Sequence, residues 1–594
     1  MHPVIKSVTS DIEKRSLKSR SKYLKLVRSF KDISPNRDGM SCSNLAHTYA
    51  ACGKKNSAQI QKPMVGIISA YNDMLSAHAP FANYPDILKQ HALSLDLHVQ
   101  VAAGVPAMCD GITQGEPGME LSLFSRDTIA LSTAVGLSHN VFDGAICMGT
   151  CDKIVPGLLI GALRFGHLPT IFVPGGPMHS GISNADKAEK RKEFSAGKID
   201  RIELLAIEQS AYHSPGTCTF YGTANTNQLI AEAMGFQLAG AAFTPSNSPL
   251  RNQLTMHSLN ALKNLITKKI GLGEMLDVKN WVNGIVALLA SGGSTNLVIH
   301  LIAMAQAGGY KITLEDFAKL SIAVPLICNV YPNGSADVNE FHQAGGIAKM
   351  LEELVNAKML HEDVETVMGQ GMESFLKSPS IVQDSLIWEK TPPPAPNTKI
   401  ITSCKSPFKT NGGIRFIKGD IASGIIKVSA LKNENAIISA KAKVFTDQIE
   451  VVRSFRDGEF TEDTLIVLLG QSPKHNGMPE LHKLSSPIGV LRDQGLNIAL
   501  VTDGRMSGAS GSFPAMIHAV SQNENLYRIK NGDKLTLDLA AETLSFDGNM
   551  SEFEQRIPRE IQQTNIGLGR ELFDVFRDKV SSPETGASIF HDNL

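Results

Sequence analysis

Short apolar runs that stop at Gly, Asp, Asn or Pro punctuate residues 1–240, at 65–70, 98–102, 144–148 and 170–173. Runs of this length without polar alternation predict buried parallel strands. Between and after them, segments 81–95, 125–139, 156–165 and 225–238 carry apolar residues at helical spacing, so strand and helix alternate. Such alternation predicts a doubly wound α/β layer structure, in which functional groups gather at the carboxyl ends of the strands. Asn72-Asp73 and Cys151-Asp152 fall at such ends, and Cys109-Asp110 lies near one whose strand is less clearly marked.

At Thr391-Pro392-Pro393-Pro394-Ala395-Pro396-Asn397 the composition turns to proline, which favours an extended linker. The domain boundary is expected there, with an N-terminal α/β domain over 1–390 and a C-terminal domain over 398–594. Beyond it, Gly-rich and β-branched segments at 412–428, 436–445, 464–469, 498–502 and 534–539 predict a smaller β-rich domain, barrel-like and flanked by helices. A chain of 594 residues is also too long for one ordinary core. The longest apolar stretch, 284–309, is broken by Ser291-Gly292-Gly293-Ser294-Thr295-Asn296, which cannot sit in hydrocarbon, so no transmembrane span is expected. Residues 6–31 are rich in Lys and Arg. There Ser10-Asp11-Ile12-Glu13 has the form of a capping box and predicts a solvated basic helix, in preference to a cleaved transit peptide.

Composition narrows the function classes. Hydrophobic residues at 42% and charged residues at 19% describe a soluble globular protein. A formal net charge of −1 leaves no electrostatic footprint for nucleic acid or an anionic membrane. The eight cysteines are sparse and follow no secretory signal, which fits a reducing cytoplasm.

The chemistry centres on Gly149-Thr150-Cys151-Asp152-Lys153-Ile154-Val155-Pro156-Gly157, where a soft thiolate stands beside a hard carboxylate. Thiolates favour iron–sulfur centres and carboxylates favour Mg²⁺, so this turn reads as a hinge between a cluster and a hard cation. Alone it has no metal-ligand spacing of its own, and it also reads as a strand ending in a polar turn. Four further segments concentrate unusual residues. They are Met108-Cys109-Asp110-Gly111-Ile112-Thr113-Gln114-Gly115, Gly216-Thr217-Cys218-Thr219-Phe220-Tyr221-Gly222-Thr223-Ala224-Asn225-Thr226-Asn227, Asn476-Gly477-Met478-Pro479-Glu480-Leu481-His482, and Thr502-Asp503-Gly504-Arg505-Met506-Ser507-Gly508-Ala509-Ser510-Gly511.

Taken in order, these motifs resemble the dihydroxy-acid dehydratase / 6-phosphogluconate dehydratase family. The resemblance covers nearly the whole chain, from Tyr71-Asn72-Asp73-Met74-Leu75-Ser76-Ala77-His78 through Gly292-Gly293-Ser294-Thr295-Asn296 to 502–511, and 71–78, 109–115 and 217–227 read closest to the 6-phosphogluconate dehydratase branch. It implies an iron–sulfur cluster of the 4Fe-4S kind held by Cys151 and Cys218. Some branches carry a cysteine near 72–78 that this chain lacks, so Cys109 and Cys147 both stand open as the third ligand. It implies Mg²⁺ on Asp110, Asp152 and Glu480, with Lys153 a further oxygen ligand once carbamylated. Ser507 falls on the family's proton-abstracting serine, and a homodimer is implied.

The reaction implied is a hydro-lyase's: 6-phospho-D-gluconate loses water to give 2-keto-3-deoxy-6-phosphogluconate, an Entner–Doudoroff intermediate. Another aldonic acid, or the 2,3-dihydroxy acids of branched-chain amino-acid synthesis, is the alternative substrate class. An iron-sensing RNA-binding regulator is the reading from a different class, and the near-neutral charge opposes it. Without the resemblance several residues read plainly. Ser507 is a turn residue, Glu480 the first-turn acid of a helix reaching Leu484, and 292–296 either an anion cradle or a helix break. His78, His475 and His482 read as hydrogen-bonded structural residues.

Overall fold

The computed structural model describes residues 1–52, 61–390, 392–506, 513–521, 523–562 and 566–590. Its first sheet is parallel throughout, in the order β2-β1-β3-β4, built from β1 (Met64–Ser69), β2 (His98–Gly104), β3 (Gly144–Met148) and β4 (Thr170–Val173). Every residue of β1, β3 and β4 is buried, which explains why their sequences are apolar without alternation. The edge strand β2 is only partly covered, with Val101 47% exposed, so its sequence signal is weaker. Helices Tyr84–Ser94, Ser122–Leu137 and Ile154–Arg164 make the successive crossovers. From β1 the chain moves to one side, to β2; β3 and then β4 are added on the other. The carboxyl ends of β1 and β3 therefore flank the point where strand order reverses, the place where open α/β sheets present their sites. The doubly wound expectation holds.

Two glycines set how closely the crossover helices approach. On helix Ile154–Arg164, a Cβ at Gly157 would lie 2.5 Å from the Arg126 carbonyl oxygen, and one at Gly161 would lie 2.6 Å from Thr133 Cβ. Both neighbours are in helix Ser122–Leu137, so the helices pack nearly backbone to backbone. The helix seated in this way begins directly after Cys151-Asp152-Lys153.

Two hairpins follow, β5 (Glu365–Thr366) with β6 (Gly369–Gln370) and β7 (Ser378–Val382) with β8 (Ser385–Glu389). The second large sheet has eight strands: β9 (Ile414–Ile417), β10 (Ser423–Lys427), β11 (Ile437–Phe445), β12 (Thr464–Leu468), β13 (Ile498–Thr502), β14 (Ala515–Val520), β15 (Lys534–Asp538) and β16 (Thr543–Phe546). Their order is β16-β15-β11-β12-β13-β14-β10-β9, parallel in the central four and antiparallel at the flanks. Lys418, just past β9, bridges Thr543 at the other edge, and its N–H donates to the Glu542 carbonyl at 2.8 Å. The sheet thus nearly closes on itself. Ile417, Ile426, Val467, Val501 and Leu537 fill its interior, and the barrel-like expectation holds.

The N-terminal helix differs from its expectation. It runs Pro3–Lys31, with proline at its start, so Ser10-Asp11-Ile12-Glu13 lies inside the helix and caps nothing. Nor is it solvated all round: Ile5, Val8, Ile12, Tyr23 and Val27 are buried. Its Tyr23 hydroxyl donates to the Leu163 carbonyl at 2.7 Å, and Arg20 donates to the Gly308 carbonyl at 2.7 Å. Its charges occupy one face of an amphipathic helix docked on the α/β body. Among the described residues no helix is long and apolar enough to cross a membrane.

The glycine contacts carry a test. Gly157→Ala should destabilise the protein by about 1–3 kcal/mol through overpacking, seen as a lower thermal midpoint with the same secondary structure. An unchanged midpoint would show that the helices can part without penalty.

Candidate active site

The turn after β3 is held open in an unusual backbone conformation. Cys151 has φ +70°, in the left-handed region that suits glycine and strains other residues. Three neighbours fix it. Thr150 Oγ1 donates to the Ala77 carbonyl at 3.1 Å, and His78 Nε2 lies 3.1 Å from the Thr150 carbonyl. Asn227 Nδ2 donates to the carbonyls of Cys151 at 3.2 Å and Asp152 at 2.9 Å. Burial pulls the His78 pKa down to about 4, so the ring is neutral at pH 7 and serves the turn, the structural role its sequence context suggests. Asn227 sits on helix Thr223–Ala233, which follows the Cys218 turn, so one side chain ties two of the motifs together.

Next to this turn three carboxylates converge. Asp110, Asp152 and Glu480 each offer an oxygen within 4.8 Å of the others. Asp110 comes from the loop after β2, Asp152 from the turn after β3, and Glu480 from beyond β12. Arg505, fully buried, spans all three: its guanidinium donates to Asp152 at 2.9 Å, Glu480 at 3.0 Å and Asp110 at 2.9 Å. Its Nε donates to the Met478 carbonyl at 2.7 Å, and Arg505 and Glu480 also pair through their backbones. Lys153 Nζ lies 2.5 Å from Asp110 and 2.6 Å from Asp152. Ser122 Oγ donates to Asp110 at 2.5 Å, and Asn296 Nδ2 to Glu480 at 3.1 Å.

The electrostatics differ among the three acids. Burial works against the Asp152 anion, but Lys153 and Arg505 outweigh it and hold that carboxyl well below the usual range. Burial pushes Glu480 up to about 7 in spite of Arg505, helped by the negative charges of Asp110 and Asp152. Asp152 Oδ1 is buried with no hydrogen-bond partner among the described residues, and His300 Nε2 stands 3.4 Å from it. An all-oxygen set with one uncommitted buried carboxylate oxygen is the donor chemistry of a hard divalent cation, so these residues fit Mg²⁺.

The thiols divide into two groups. Burial raises the pKa of Cys151 first, and negative charge on Cys109 and Cys218 raises it further; Cys218, pushed up to about 12, responds to burial and then to Cys109. These three sulfurs therefore lie within one another's fields, each partly exposed, in the loop after β2, the turn after β3 and the turn before helix Thr223–Ala233. Three thiols whose charges act on one another offer the donor chemistry of an iron–sulfur centre, which they fit. Cys147 is fully buried inside β3 and burial alone raises its pKa, so the structure does not bring it to the group.

One other expectation changes. Glu480 does not open a helix; it precedes the single 3-10 turn His482–Leu484. Of the two readings of 292–296, the structure shows the helix break, between Val278–Ser291 and Asn296–Ala307. The N–H groups of Gly292, Gly293, Ser294 and Asn296 donate to Leu289, Leu288, Thr226 and Ser294, while the Gly292 and Gly293 carbonyls accept from the buried Lys427 ammonium at 2.7 and 3.1 Å. Ser507 lies outside the described residues; the backbone just before it is pinned by Thr295 Oγ1 donating to the Met506 carbonyl at 2.9 Å. The bridging role of Arg505 and the supports from Asn227, Ser122, Asn296 and His300 have no sequence signature of their own. A lone histidine in the apolar helix Asn296–Ala307 is the nearest thing to one.

Residues 62–375 match the family described as Dihydroxy-acid/6-phosphogluconate dehydratase N-terminal, and residues 399–587 match its C-terminal counterpart. Phosphogluconate dehydratase of Pseudomonas aeruginosa is 47% identical over 100% of this chain and 99% of its own length. That of Escherichia coli K12 is 45% identical over 99% of each chain. Dihydroxy-acid dehydratase of Caldanaerobacter subterraneus subsp. tengcongensis is 30% identical over 84% of this chain and 89% of its own. The two sheets, the converging acids and thiols and these full-length matches lead to one conclusion: the chain belongs to the dihydroxy-acid/6-phosphogluconate dehydratase family.

Proposed function

We infer that the protein is a hydro-lyase that removes water from 6-phospho-D-gluconate to give 2-dehydro-3-deoxy-6-phosphogluconate, the Entner–Doudoroff step. One observation carries this reading: three acids and three thiols meet at the switch point of a chain similar along its whole length to phosphogluconate dehydratases. In it, Cys109, Cys151 and Cys218 hold a 4Fe-4S cluster, and Asp110, Asp152 and Glu480 hold Mg²⁺, with Lys153 adding an oxygen as its carbamate. Bound there, the two groups supply Lewis acidity at the carboxylate beside C2 and at the C3 hydroxyl.

The chain's own residues do the rest. In this reading the Ser507 alkoxide takes the proton from C2, and the C3–O bond breaks with its electron pair leaving on oxygen. The departing hydroxide takes the proton back from Ser507 and leaves as water, and the enol tautomerises to the 2-keto acid. An alcohol is a poor base, and the Arg505 guanidinium two residues away supplies the fixed positive charge that lowers its pKa. Arg505 cannot swing aside, because carboxylates and the Met478 carbonyl hold it from several directions. Burial of Asp152, Lys153 and Glu480 keeps water from screening these charges. The acids come from both sides of the proline-rich segment, in keeping with domains at 1–390 and 398–594 that share one site. The same reading makes the protein a cytoplasmic homodimer.

The substrate assignment predicts a higher kcat/KM for 6-phosphogluconate than for gluconate or 2,3-dihydroxyisovalerate in anaerobically purified protein, and the reverse order would overturn it. In the same assay Ser507→Ala should retain iron and bind substrate yet lose turnover by about 10² or more, the scale of a missing general base. Activity within about threefold of wild type would remove the serine from that role.

The thiol assignment predicts that Cys109→Ser, Cys151→Ser and Cys218→Ser each lose iron and acid-labile sulfide, whereas Cys147→Ser keeps both. Iron loss confined to the Cys147 variant would reverse the choice of third ligand.

The acid assignment predicts a pH signature in Mg²⁺ binding. With the Glu480 pKa raised to about 7, the cation must displace a proton below that pH, so affinity should rise as pH increases through about 7 and then level off. Glu480→Gln should bind Mg²⁺ weakly with no such rise, while its cluster absorbance stays intact. Calorimetry in buffers of different ionisation enthalpy reads the proton release directly, and a flat wild-type profile would exclude Glu480 from the set.

A further inference from the structure

A second group of charges lies on the far side of Cys218, and the chemistry above does not use it. Helix Asn184–Ser195 carries Lys187 and Arg191 one turn apart on one face. Arg191 is committed, since its guanidinium meets both oxygens of Glu208 at 2.5 and 2.9 Å. Lys187 is not. It is only 5% exposed, and among the described residues it enters no ion pair. Its ammonium lies 3.3 Å from the Tyr212 hydroxyl and over the rings of Tyr212 and Phe220, at 4.6 and 5.6 Å. A buried ammonium that touches two aromatic faces and one hydroxyl, with no carboxylate in ion-pair contact among the described residues, is incompletely compensated, and an anion brought beside it gains a strong charge-assisted contact.

Two independent links tie this group to the acids and thiols. Phe220 stands two residues beyond Cys218, whose thiol feels the charges of both Lys187 and Arg191. On the other side, helix Ser485–Asp493, which closely follows Glu480, packs against helix Asn184–Ser195, with Lys192 paired to Asp493 at 2.7 Å. The segment from Glu480 to His482 therefore leads from the carboxylates toward the helix that carries the cations.

We propose that Lys187, with the Tyr212 hydroxyl beside it and the Arg191 guanidinium one turn along, receives the terminal phosphate of a phosphorylated sugar acid whose carboxylate end lies at Asp110, Asp152 and Glu480. The proposal rests on the hydro-lyase reading and adds to it the part that tells a phosphorylated acid from a plain one. A substrate anionic at both ends needs positive charge at both ends of its cleft. Arg505 and a bound dication serve one end, and Lys187 with Arg191 serves the other. Glu208 orients the guanidinium and makes its ion pair with Arg191, not with the ammonium.

Titrating inorganic phosphate calorimetrically into anaerobic, cluster-loaded protein tests the site apart from turnover. Wild type should bind phosphate, and Lys187→Met, close in shape but neutral, should weaken that binding about tenfold or more. In the same variant kcat/KM for 6-phosphogluconate relative to gluconate should fall by about 30-fold, chiefly through KM, with iron content and cluster absorbance as in wild type. Phosphate binding unaltered by Lys187→Met overturns the proposal. So does a loss of iron in that variant, which would make Lys187 a countercharge to the cluster. If Lys187→Met does not fold, Tyr212→Phe, which removes one hydroxyl, must weaken phosphate binding by about threefold, and failure to do so overturns it as well. A wild type that binds phosphate through Lys187 but prefers an unphosphorylated substrate would sink the function reading while leaving this site standing.

Discussion

The Arg505 guanidinium is the contact on which the rest of the site depends. Three carboxylates packed within a few ångströms repel one another, and burial removes the water that would otherwise screen them. A planar, permanently charged group with five donors can meet all three at once, and a lysine could not replace its geometry. Taking it away would leave buried anions uncompensated, a loss of about 3–5 kcal/mol for a single broken pair. The same guanidinium joins the two large sheets. Asp110 and Asp152 hang from the parallel sheet, Glu480 and Arg505 from the nearly closed one, and the bridge holds the two loop sets in register together with the Asn296–Glu480 and Thr295–Met506 hydrogen bonds.

Much of the fold was legible because burial on both faces leaves a plain trace. β1, β3 and β4 are continuous apolar runs, and their observed limits differ from the expected ones by a residue at most. β2 is an edge strand, so its sequence mixes exposed and buried positions and its end was obscure. The N-terminal helix misled for a related reason. Its abundant Lys and Arg outweighed the stripe of Ile5, Val8, Ile12, Tyr23 and Val27, and a chance Ser-x-x-Glu imitated a start signal in mid-helix. Closure of the second sheet through Lys418 and Thr543 joins positions far apart in the chain, and no local pattern encodes that.

In the site, what sequence conveys is identity at motif positions; what it hides is who stands next to whom. Asp110, Asp152 and Glu480 could be named from their motifs, and they do converge. The choice between Cys109 and Cys147 stood open although Cys147 already fell in an expected strand; the fold buries it there and leaves Cys109 in a loop near enough for its charge to act on Cys151. The turn at 292–296 offered backbone N–H groups on paper. In three dimensions Thr226 and the preceding helix take those of Gly292, Gly293 and Ser294, and the carbonyls face a lysine from the other sheet.

The backbone at Cys151 sets stability against chemistry. A left-handed conformation at a residue with a Cβ is unfavourable by about 1–2 kcal/mol, and glycine would relieve it at a stroke. That substitution would also delete the thiol. Selection for robustness alone would pull this position toward glycine and selection for turnover toward cysteine, so the residue records which pressure prevailed. The two Asn227 hydrogen bonds are then the compensation that lets an uncomfortable residue persist, and stability gained anywhere else in the molecule enlarges the range of such compromises the lineage can tolerate.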